Sequence, residues 1–194
     1  IMIFTCSIFS INSIPNSFAE EITMPPRAGT IGDEHEHASM LVKIFEEKLD
    51  FSQAKYQSQS PWIHFEGNSD NIIHRHASNV TLGYLFDTLG IAIVDDCFAF
   101  SGGDKFCNDA QNSLRFYINH ISVPSITDYV IKQGDRILVS FGDASTGKIV
   151  DQLVELDMQT FLAADMIYPK WSRYTFVWFA EDKISQDELF DAIQ

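Results

Sequence analysis

The chain has 194 residues, enough for one domain with a real core plus extensions, and its 45% hydrophobic content is ordinary for a globular protein. With 27 acidic residues against 13 basic ones, the net charge is −14. That charge repels nucleic-acid phosphates and anionic membrane surfaces and favours cations as ligands, although solubility alone is the commoner reason for such acidity.

The first stretch, IMIFTCSIFSINSIPNSFAEE, has the pattern of a secretory signal peptide. An apolar run is followed by a polar break and then by Ser17-Phe18-Ala19, a small-x-small cleavage pattern. Cleavage after Ala19 makes residues 1–19 the signal peptide and the mature protein extracytoplasmic, either secreted or in the cell envelope. The basic n-region and an initial Met are absent, so the sequence is expected to be a fragment. The rival reading is an N-terminal membrane anchor. Asn12, Pro15 and Asn16 leave the run too short and too polar for that, and no membrane span is expected in the mature chain.

Residues 20–34 are polar, contain Pro25-Pro26 with Gly29 and Gly32 nearby, and are expected to be a flexible lead. Asp33-Glu34-His35-Glu36-His37 then runs into a strand over 38–45. His35 and His37 share one face, and Met40, Val42 and Ile44 share the other, which should be buried. Residues 46–60 are polar, with Phe51, Ala54 and Tyr56 available to dock on a core.

Pro61 to Leu89 reads as strand, tight turn, strand and helix. Trp62–Glu66 and Asn71–Ala77 are rich in aromatic and β-branched residues, and Gly67-Asn68-Ser69-Asp70 between them is turn chemistry. Centred on Ser69, the hairpin sets His64 opposite His74, with His76 on the same face and Trp62 and Glu66 beside them. Ile63, Phe65, Ile73 and Ala77 fall on the other face, toward a core. A slip of one residue would dissolve the cluster. Ser78 or Asn79 is expected to cap a helix with the apolar stripe Leu82, Leu85, Phe86 and Leu89, ended by Gly90.

Cys97 and Cys107 flank Ser101-Gly102-Gly103-Asp104, a hairpin turn that sets them face to face across a β-ribbon. A structural disulfide is expected there in an oxidising compartment. The pair lacks the C-x-x-C spacing usual for a thiol oxidoreductase. A strand over 114–119, a short segment over 128–131, a turn over 132–135 and a final strand over 136–141 follow.

Five of the six histidines lie between His35 and His76. Neutral imidazole is a ligand for copper, zinc and nickel, and an H-x-H strand beside another histidine is a recurrent way to present three imidazoles. The candidate ligands are His64, His74, His76, His35, His37 and Glu66, with Asp33, Glu34 and Glu36 as further acidic neighbours; His120 lies in a distant turn. The two histidine groups merge if the first strand pairs beside the hairpin. Cu(II) is favoured, then Zn(II), by the general affinity order. The plain alternative is a set of solvent-facing histidines with no ligand.

Three functions compete. A metal-binding module would store, deliver or sense the ion without turnover. An envelope protein–protein adaptor would need no metal. A zinc hydrolase or hydratase would use three histidines and an open position. The sequence shows no assembled general base, phosphate-binding glycine loop or Ser-His-Asp arrangement, so the non-catalytic module is preferred.

The order of two strands, a helix and several strands resembles ubiquitin-like β-grasp domains. FYINHISVPSITDYVIKQGDRILVSFG resembles the end of the β-grasp module at the C-terminus of transcobalamin-like proteins, with Asn119-His120 where that pattern has Asn-Gly. The resemblance implies an α+β fold, a β-grasp-like mixed sheet with one main helix over 35–143, and carries no cobalamin activity. YPKWSRYTFVWFAEDKISQDELFDAIQ resembles a short motif of secreted and cell-envelope proteins of archaea. Pro169, Trp171, Trp178, Ala180, Ile184, Ser185, Asp187, Ala192, Ile193 and Gln194 match it; Tyr168, Phe179, Asp182 and Leu189 depart from it. It implies a C-terminal helical hairpin over 167–194 for docking to an envelope protein, joined by a linker or helix over 144–166. HEHA, WIHFEG and HRHA together resemble a family of secreted archaeal proteins without an assigned activity.

Overall fold

The computed structural model describes residues 23–143 and 145–163. The expected signal peptide, Cys6 within it, and the C-terminal motif at 167–194 lie outside the described residues. The elements in order are β1 (Glu36–Ile44), β2 (Glu47–Lys48), β3 (Ile63–Phe65), β4 (Ile72–Arg75), α1 (Leu82–Thr88), β5 (Ile91–Val94), β6 (Cys97–Phe100), β7 (Lys105–Cys107), β8 (Ser113–Ile118), β9 (Ile121–Val123), β10 (Asp135–Gly142) and α2 (Thr146–Leu162).

The fold is α+β. The main sheet runs β3-β4-β1-β10-β8-β9, with β2 folded back on β1. β1 and β10 are parallel, and the other neighbours are antiparallel. The path β4-β1-β10-β8-β9 is the β-grasp order: first and last strands adjoin at the centre, and α1 crosses between the two halves. β3 extends one edge. A smaller sheet, β5-β6-β7, is inserted between α1 and β8 and carries the Cys97–Cys107 disulfide, with the two residues directly paired across the ribbon.

Strand alternation divides the main sheet into two faces. Ala38, Met40 and Val42 of β1, Ile63 and Phe65 of β3, Ile73 of β4, and Ile137 and Val139 of β10 are fully buried. They pack in one cluster with Leu82, Leu85 and Phe86 of α1 and with Phe98 of β6. Burying each of these side chains larger than Ala38 contributes about 1.5–3 kcal/mol before entropy is counted. The apolar stripe is as the sequence predicts, but the cap is not. Thr81 caps α1, its side chain accepting from the Tyr84 amide. Ser78 is committed elsewhere, its amide and hydroxyl both donating to Asp33, and Asn79 sits at φ 60°, turning the chain before the helix begins.

The second face is covered by α2. Leu41 of β1, Leu138 of β10 and Leu156 of α2 form a small buried cluster of their own. α2 runs against the direction of β1: Lys148 pairs with Glu46, Lys43 with Glu155, and Gln159 donates to Ser39 Oγ and the Met40 carbonyl. The end of the helix therefore reaches Ser39. His37, two residues back along the strand and on the same face, lies about 7 Å beyond that level.

Candidate metal centre

The hairpin register places the histidines. His64 of β3 pairs with His74 of β4, as the turn chemistry predicts, and His37 of β1 pairs with His74 on its other side. Three imidazoles thus form a row across three adjacent strands. His76 and His35 occupy the next row, just past the ends of β4 and β1. The two histidine groups are one cluster. Ring centroids are 4.6 Å apart for His37–His74 and His35–His76, 4.7 Å for His35–His37, 5.0 Å for His64–His76 and 6.1 Å for His64–His74.

The surroundings fix several rings. His64 Nδ1 lies 2.6 Å from the Ser60 carbonyl oxygen, to which it donates. Gln133 Oε1 accepts from the His37 backbone amide at 2.9 Å and faces His37 Nδ1 at 3.3 Å. The Gly134 amide donates to the His37 carbonyl. A histidine that gives one N–H to a carbonyl presents its other nitrogen as a lone pair, the arrangement common among metal-binding imidazoles. His35 precedes β1 and is placed by the loop before it. The Gly32 amide donates to the His76 carbonyl at 2.6 Å, and Asp33 accepts from the Ser78 amide and hydroxyl at 2.8 and 2.9 Å. Glu34 pairs with Arg75, which is buried and also donates to the Ala77 and Ile131 carbonyls.

These commitments narrow the ligand set. Asp33 and Glu34 are occupied by Ser78 and Arg75, and Glu36 alternates to the opposite side of β1 from His37. Glu66 is the carboxylate at the cluster: Oε2 lies 3.3 Å from His64 Nε2 and Oε1 lies 3.3 Å from His74 Nδ1. Trp62 packs edge-on to Tyr84 against the core. His120 is remote: it lies in the β8–β9 turn, with Nε2 2.9 Å from Asp157 of α2.

His74 is the centre of the arrangement. It is only 5% exposed, and neither ring nitrogen has a hydrogen-bond partner. The contact with Glu66 is close in distance but is not aligned as a hydrogen bond. Burial, aided by the adjacent His37, pushes the His74 pKa down to about 4. Burial likewise lowers the pKa of His37 and His76. Burial works against the Glu66 carboxylate, but His64 and His74 outweigh it and hold its pKa below the ordinary value. At neutral pH the buried ring is therefore neutral and can offer a lone pair to a cation.

Ligand atoms of His35, His74 and His76 lie within 4.8 Å of one another. This cluster could hold a metal ion. The hairpin trio foreseen from the turn, His64, His74 and His76, shares two members with it. His35 joins because β1 pairs with β4, a contact between distant parts of the chain. Ser60 and Gln133, which orient His64 and His37, carry no local signal of that role.

Comparison with known protein families, with curated proteins and with solved structures found no match. Among the described residues no helix is long and apolar enough to cross a membrane. The Cys97–Cys107 disulfide is of the kind that persists in oxidising compartments.

Proposed function

We propose that this chain is an extracytoplasmic metal-binding protein that takes Cu(II) or Zn(II) on its histidine face for storage, delivery or sensing. The observation that carries the reading is His74: a buried imidazole with both nitrogens unpartnered, beside His35 and His76 with converging ligand atoms. An unsatisfied buried polar group costs about 1–3 kcal/mol, and a bound cation would remove that cost. Copper ranks ahead of zinc in the general affinity order for nitrogen ligands. The disulfide and the N-terminal cleavage pattern support the extracytoplasmic part. Membership of the secreted archaeal family is proposed on HEHA, WIHFEG and HRHA alone.

The test is metal content by elemental mass spectrometry on untagged protein, beside the variant carrying His35→Ala, His74→Ala and His76→Ala. Copper or zinc at one ion or more per chain in the parent, lost in the variant, is expected. No metal in the parent after addition of either ion would defeat the reading.

An envelope adaptor is the second reading, and α2 favours it. Val150, Val154, Met158 and Phe161 form an apolar stripe along its outer side, each 51–60% exposed. Retained partner binding in the triple-histidine variant would support that reading.

A further inference from the structure

Six donors crowd one end of the sheet, more than the four that a tetrahedral ion takes. The trio of His35, His74 and His76 leaves His37, His64 and Glu66, and the geometry of the last two is informative. The Ser60 carbonyl can only accept, so His64 Nδ1, 2.6 Å from it, carries the proton. Nε2, the other ring nitrogen, stands 3.3 Å from Glu66 Oε2, within hydrogen-bond distance. A proton or a cation can occupy the space between this nitrogen and the carboxylate oxygen. The other Glu66 oxygen stands 3.3 Å from Nδ1 of His74, the buried ring without a hydrogen bond on either nitrogen. Glu66 thus spans two imidazoles, and the His74 ring lies 6.1 Å from His64, 6.2 Å from His35 and 6.3 Å from His76.

We infer that the cluster holds two first-row divalent ions, an inference that rests on the metal-binding reading above. One ion lies with His35 and His76, the other with His64 and Glu66. His74 stands between them and offers a ring nitrogen to each. Binding through both nitrogens requires the neutral ring to release its remaining proton to solvent as imidazolate, and the two cations stabilise the resulting negative charge. Glu66 supplies the second anionic ligand.

The experiment is native mass spectrometry of the full chain titrated with Zn(II), paired with electron paramagnetic resonance of the Cu(II)-loaded protein. Two ions per chain are expected. The Cu(II) signal should integrate to well below two isolated ions, because ions that share one imidazole couple magnetically. Glu66→Gln, which keeps the side chain's shape, and His64→Ala should each bind a single ion and show an uncoupled Cu(II) signal. One ion in the parent, unchanged in both variants, would overturn the second site and leave the metal-binding reading standing. No ion in the parent would overturn both.

Discussion

His74 sits where three strands meet, so its environment is set by neighbours on both sides rather than by its own sequence context. That gives the metal-free protein a defined pH response. The pKa of His74 is lowered from 6.5 to about 4 by burial, with like-charge neighbours adding to it. The unfolded chain therefore binds this proton first as pH falls. Stability rises with pH across the window from about 4 to 6.5 and is lost on acidification through it, by at most about 1.4 kcal/mol per pH unit for one proton. His37 and His76, also shifted downward, act in the same direction. Urea midpoints measured from pH 4 to 7 should fall with acid, and His74→Gln should flatten the curve. Parallel curves for parent and variant would refute the assignment. Metal loading should lower the pH at which the loss begins, because the ion competes with the proton for the same lone pairs.

At the scale of elements, two turns allow sharp predictions. Asn119 and His120 form the two-residue connection between β8 and β9, both with positive φ, 50° and 68°. That turn favours Asn-Gly, and a histidine at its second position is strained. His120→Gly should relieve about 1 kcal/mol of strain, at the loss of an exposed ion pair with Asp157 worth little. A small rise in melting temperature with unchanged metal content is expected; a fall would show that the Asp157 contact outweighs the turn. The second element is the disulfide ribbon. Cys97→Ser with Cys107→Ser should cost about 2–3 kcal/mol in thermal or denaturant unfolding. The ribbon belongs to the smaller sheet, so metal stoichiometry should stay unchanged, and metal lost with the disulfide would contradict this separation.

The whole molecule is a sheet with different covers on its two faces. α1 and the inserted β-ribbon close one face with a large apolar cluster, whereas α2 closes the other through the small group of Leu41, Leu138 and Leu156. Leu156 is the fully buried apolar side chain that α2 contributes to that group, with Leu153 packed beside it. Leu156→Ala should cost at least about 2 kcal/mol, the lower end of the range for such a truncation. Calorimetry checks it; an unchanged melting temperature would mean that the remaining contacts of α2, among them Ile149, Leu153 and the polar contacts of Lys43 and Gln159, suffice to hold the helix. The net charge of −14 acts at this scale as well. It steers cations toward the protein, so metal association should slow as ionic strength rises.

Local patterns in the sequence determined much of this protein. Period-two alternation around a Gly-Asn-Ser-Asp turn sufficed for the His64–His74 register and for the burial of Ile63, Phe65 and Ile73 on the opposite face. Apolar spacing marked the stripe of α1, and the turn at Ser101–Asp104 brought Cys97 and Cys107 together. Each of these depends on residues close in the chain, where strand pleat and helix pitch dictate which side chains meet. The tertiary structure alone decided that β1 pairs with β4, which joins His35 and His37 to His74 and buries that ring. It also decided that α2 ends at Ser39, and that Asp33 and Glu34 are drawn to Ser78 and Arg75. These outcomes follow from pairing between distant segments around a shared core, and the local period of a strand does not specify which other strand will lie beside it.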